Sequence, residues 1–132
     1  MLDEKLLINQ YRHETDTWRR TLGFITEENI NIKNRISEIV RNMNVVEPSS
    51  LEAIEYFQNC FVEEDKEIAK LQNRLKENDN LLSRETYEDG KILKSIRHAQ
   101  EQLRKEIDKN EKSFNRLKSE FNKYLSEILL TE

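Results

Sequence analysis

Long helices rich in glutamate invite a di-iron or di-manganese reading. Such a centre needs Glu-x-x-His pairs on inward helix faces, together with further carboxylates. The chain holds two histidines. Gln10 precedes His13 at the required offset and Ser95 precedes His98, so neither motif is complete. His13 with Asp16, and His98 with Glu101, do set an imidazole and a carboxylate one turn apart on a helix. Zinc or iron would need those ligands to converge. The helical phase of Tyr11 and Trp18 turns His13 outward, and that of Ile96 and Ala99 turns His98 outward. No metal and no other cofactor is therefore expected.

Nucleophilic chemistry fares no better. Cys60 is the single cysteine and cannot close an internal disulfide, which fits a reducing cytosol. It stands beside Phe61 without a basic pocket or helix N-terminus to favour its thiolate, so it reads as a packing residue. There is no glycine-rich phosphate loop, and no Ser-His-Asp order that would support a triad. Glutamates occur throughout, so no carboxylate pair is singled out for acid–base work. The chain is expected to be non-enzymatic.

The elements that would position any site are legible in the apolar spacing. Trp18, Leu22, Ile25, Asn29, Ile32, Ile36, Ile39 and Met43 follow one another at alternating steps of four and three, with Tyr11 extending the row. That is the seam of a coiled coil with a polar interruption. A second seam runs through Ile54, Phe57, Phe61, Glu64, Ile68, Leu71, Leu75, Asn78 and Leu82. A third runs through Ile92, Ile96, Ala99, Leu103, Ile107, Asn110, Phe114, Leu117, Phe121, Tyr124 and Ile128. Around Leu103, Ile107 and Asn110 its strict alternation is taken to break, which predicts a stutter. Helices are expected over residues 3–43, 49–84 and 90–130. Asp3 is expected to cap the first, and Ser49 with Glu52 to form a capping box on the second. Thr86 or Asp89 would cap the third, with Gly90 giving backbone freedom. Val45-Val46-Glu47-Pro48 separates the first pair of helices. Two short connections imply one domain over residues 1–132: an all-α, elongated, antiparallel up-down-up three-helix bundle with coiled-coil-like packing.

Counting along antiparallel helices brings Asn29 level with Glu64, and the second turn brings Asn110 to the same height. Asn29, Glu64 and Asn110 are thus expected to form a polar layer inside the core, with Thr15 meeting Asn78 lower down. Such residues penalise shifted pairings, which would bury them without partners. Two alternatives remain for Glu64: a raised pKa and a bound metal or small ligand, or a side chain swung out to solvent. Phe57, Phe61, Phe114, Phe121 and Tyr124 should pack as an aromatic core near the first turn, and Trp18 with Leu75 and Leu103 near the other end.

Charged residues make up 36% of the chain, 26 acidic and 22 basic, for a net charge of -4. The two signs are interspersed, so successive phosphates would meet no basic cluster and nucleic-acid binding is not expected. No apolar run reaches the ~18 residues of a membrane span, and the first residues lack the apolar core of a signal peptide. A soluble, cytoplasmic protein is expected. Phe24 and Ile30 fall on the outer face of the first helix, and Leu93, Leu129 and Leu130 flank the third seam. Phe24 and Ile30 are candidates for contact with a protein partner or a second copy of the chain.

The run Glu55-Tyr56-Phe57-Gln58-Asn59-Cys60-Phe61, preceded by Trp18, Leu22 and Phe24 and followed by the Phe- and Leu-rich stretch from Phe114 to Leu125, resembles a family of small bacterial helical proteins. The resemblance spans most of the chain and rests on packing motifs. It implies a cytosolic three-helix bundle with no established activity, so no catalytic residues carry over.

Overall fold

Apolar side chains recurring at steps of three and four leave a helix with one water-averse stripe, and three such stripes bury one another here. The computed structural model describes residues 2–42, 48–83 and 90–131. Among them the chain forms three α-helices and no strand: α1 (Leu2–Asn42), α2 (Pro48–Leu82) and α3 (Gly90–Thr131). At 1.5 Å per residue the longer two extend about 60 Å.

The helix starts differ from the expected caps. α1 already includes Leu2, so Asp3 lies within its first turn and is not its cap. α2 begins at Pro48, which places Ser49 inside the helix. Proline suits that first position because its missing N–H would have had no intrahelical acceptor. α2 closes where the Ser83 N–H donates to the Asp79 carbonyl at 3.0 Å and the Ser83 hydroxyl to that of Asn80 at 2.9 Å. Met43, Thr86 and Asp89 lie outside the described residues, as do the side chains of Ile92, Leu129 and Leu130.

Contacts fix the arrangement. Arg12 Nη2 donates to the Leu82 carbonyl at 2.9 Å, and Asn29 Nδ2 to the Phe61 carbonyl at 2.9 Å, so α1 and α2 run antiparallel. Phe57 packs on Phe121 and Phe61 on Phe114, so α2 and α3 do too. Glu14 pairs with Arg104 and Glu28 with Lys118, each 90 residues apart, so α1 and α3 are parallel. The result is an up-down-up three-helix bundle.

Every residue of the expected second seam is buried. The α1 seam is buried from Ile8 through Ile36, with Ile32 and Ile39 partly so. The α3 seam needs a correction. Gln100 is fully buried and Ala99 only partly. With Gln100 in place, Leu93, Ile96, Gln100, Leu103, Ile107, Asn110, Phe114, Leu117 and Phe121 keep strict steps of three and four. The expected stutter is absent there. Toward the end of α3, Tyr124 and Leu125 both turn inward.

The core forms two apolar clusters. The larger runs from Trp18, Leu75 and Leu103 up to Phe57, Phe121 and Leu125. The smaller gathers Ile8, Tyr11, Leu82 and Ile96. Thr15, Asn78 and Gln100, one from each helix and all buried, lie between them in sequence height.

Candidate functional site

In this lower layer the hydrogen bonds converge on Gln100. Asn78 Nδ2 donates to its Oε1, while Gln100 Nε2 donates to the Tyr11 carbonyl at 3.3 Å and Glu14 Oε1 at 3.0 Å. Arg104 holds the same Glu14 carboxylate at 2.7 and 2.9 Å. Asn78 therefore bonds Gln100 instead of Thr15, whose hydroxyl oxygen is buried with no partner. Sequence spacing missed Gln100 because an amide among charged residues carries no apolar signal, and neighbouring Ala99 took its place in the pattern.

Asn29, Glu64 and Asn110 are all buried at the middle height. They divide into two networks. Asn29 Nδ2 also donates to Asp65, whose other carboxylate oxygen pairs with Lys33, on the side where α1 faces α2. Asp65 and Lys33 were not legible as partners, since only the register of two distant helices brings them together. Glu64 faces α3 and takes a hydrogen bond from Asn110.

Glu64 is the unusual member. Its residue is 8% exposed, against 7% for Asn110. Glu64 Oε1 and Asn110 Oδ1 are buried without a hydrogen-bond partner. Burial pushes the Glu64 carboxyl above its ordinary pKa of 4.5; the bond from Asn110 opposes this, and the charges of Glu67 and Asp65 add to it. Both residues line a groove of about 710 Å³ between α2 and α3. The antiparallel register puts Tyr56, Cys60 and Leu117 toward one end of that groove and Glu67 and Glu106 toward the other, with Glu63 beside Glu64 at the middle. Glu106 is paired with Arg74, and Glu63 with Lys66 at 3.0 Å. Tyr56 contacts the Cys60 side chain one turn on, and this hydrogen bond is the main cause holding its phenol above the ordinary pKa of 10.0.

The remaining candidates are more ordinary. His13 and His98 are exposed. Among the described residues no three His, Cys, Asp or Glu side chains are grouped to hold a metal ion. The expected aromatic core is present: Phe57 meets Phe121 at 5.3 Å and Tyr124 at 5.4 Å, and Phe61 meets Phe121 at 5.6 Å. Lys118 sits 5.9 Å from the centre of the Phe114 ring while bonded to Glu28 at 2.9 Å. Phe24 and Ile30 are exposed, at 60% and 46%. Six helical steps set them about 120° apart, so they bracket the outer face of α1 and do not form one stripe. Tyr56, Val62, Leu51, Val40 and Leu6 are further exposed apolar side chains.

No protein-family profile, curated protein or solved structure matches this chain.

Proposed function

We propose that the protein acts without catalysis, as a three-helix bundle with coiled-coil-like packing that engages another protein or a second copy of itself. The observation carrying this reading is the outer face of α1, where Phe24 and Ile30 stand open to water on a helix whose inner stripe is already covered. Solvent-exposed phenylalanine and isoleucine on a rigid helix are suited to anchoring a partner helix or groove. The similarity to small bacterial cytosolic bundles supports a cytoplasmic setting. Interspersed charge supports a role away from nucleic acid. No helix among the described residues is long and apolar enough to cross a membrane.

Sedimentation velocity over a wide concentration range tests the self-association form. A dimer that Phe24→Ser with Ile30→Ser dissolves is the expected result. Should the chain sediment as monomer throughout, a photo-crosslinking residue at position 24 tests for a different partner in cells. Absence of any adduct there would overturn the contact role.

A second reading is favoured by one specific observation, the unpartnered Glu64 carboxylate oxygen beside the α2–α3 groove. On that reading the bundle binds a small ligand centred on Glu64. A metal is the weaker form, given the lack of a three-ligand group among the described residues.

A further inference from the structure

Crowded surface acids are usually just a solvated face. The α2–α3 groove differs because it contains two buried acceptors that nothing satisfies. Glu64 and Asn110 are each more than nine-tenths buried, both line the groove, and Glu64 Oε1 and Asn110 Oδ1 accept no hydrogen bond. Buried polar atoms are nearly always paired; Thr15 Oγ1, Asn29 Oδ1 and Asn78 Oδ1 are orphaned too, but they do not line this groove, so Glu64 and Asn110 are the orphans a ligand in it could reach. Here both missing partners are donors. The surrounding charge favours a cation: Glu106 is paired with Arg74 and Glu63 with Lys66, which leaves Glu64 and Glu67 against Lys109 among the described residues lining the groove.

We propose that this groove binds a primary alkylammonium ion, its N–H groups donating to Glu64 Oε1 and Asn110 Oδ1 and its chain lying toward Leu117. The inference rests on the small-ligand reading of the Glu64 site and names its ligand class. A water molecule would supply donors but leave the carboxylate's charge uncompensated. A quaternary ammonium has no N–H to give and calls for an aromatic cage, whereas Tyr56 is the one aromatic residue lining this groove among the described residues. The seven helical steps from Asn110 to Leu117 span about 10 Å along α3, room for a short alkyl chain. A lysine side chain on a partner protein presents the same head group as a free amine.

Isothermal titration calorimetry of the full chain at low salt is the test, using n-butylammonium chloride with tetramethylammonium chloride and n-butanol as comparators. Butylammonium alone should bind. Glu64→Gln keeps the side chain's size and should weaken binding at least tenfold, while Glu55→Gln, outside the groove, should leave it unchanged. The Asn110 side-chain amide resonances of the unaltered protein should shift during the titration, a readout that needs no variant to fold. Tighter binding of Nα-acetyl-lysine methylamide than of butylammonium would assign the head group to a partner's lysine, and the reverse order to a free amine. Butylammonium binding no better than tetramethylammonium, or unaffected by Glu64→Gln, overturns the ammonium assignment. If tetramethylammonium then binds in a Glu64-dependent way, the groove survives as a ligand site. If no titrant moves the Asn110 amide, both the ammonium and the ligand site fall.

Discussion

Replacing Glu64 and Asn110 together with leucine should make the ligand-free bundle more stable. The double change removes two buried acceptors that have no partner, each costing about 1–3 kcal/mol. It also removes the hydrogen bond between the two residues, which contributes about 1.5–3 kcal/mol because one side is a carboxylate. The balance favours the double variant by roughly 2 kcal/mol, before any gain from added apolar burial. For a domain of this size that corresponds to a melting temperature higher by roughly 8 °C. The single changes should behave differently. Asn110→Leu strips the carboxylate of its one donor and should cost about 2 kcal/mol. Glu64→Leu strands the Asn110 amide while removing one orphan, so it should be near neutral. Urea unfolding of all four proteins in amine-free buffer, followed by circular dichroism, closes the cycle, with an expected coupling of at least about 2 kcal/mol. Single effects that simply add, or a double variant less stable than the original, would refute the view that Glu64 and Asn110 act as one under-satisfied unit.

Stability should also depend on pH through Glu64. Its folded pKa is raised, so the native state holds that proton more tightly than the unfolded chain and its contribution is fully present below the ordinary value of 4.5. The contribution is lost as pH rises through the folded value; Glu64→Gln should therefore gain on the original protein from about pH 4.5 upward, read as the difference in unfolding free energy at each pH. Gly23→Ala should stabilise by about 0.5–1 kcal/mol in a thermal melt, since a Cβ there meets nothing within 4 Å. Gln100→Ala should destabilise by roughly 2–3 kcal/mol in urea unfolding, because it leaves the buried Asn78 amide without its partner and opens a gap in the lower layer.

Much of this molecule was legible from residue order. The seams of α1 and α2 were readable position by position, because a helix repeats every 3.6 residues and the burial of one face follows from local geometry. Asn29, Glu64 and Asn110 were readable as buried for the same reason: each interrupts an apolar row without leaving its phase. Gln100 was hidden, since its type argues for the surface and Ala99 next to it argues for the core. The starts of α1 and α2 lie one residue before those expected and that of α3 coincides with the expected one; caps depend on a few local angles that composition signals weakly.

The partnerships were another matter. Nothing in the order of residues says that Asn29 turns to Phe61 and Asp65 while Glu64 turns to Asn110, or that Glu64 keeps an oxygen unpaired beside a groove. A helical stripe is determined within a few turns of chain. A hydrogen bond is determined to a few tenths of an ångström between helices that only packing brings into register. The polypeptide by itself therefore decided which side chains leave water, and the assembled bundle decided which of them find a partner once inside.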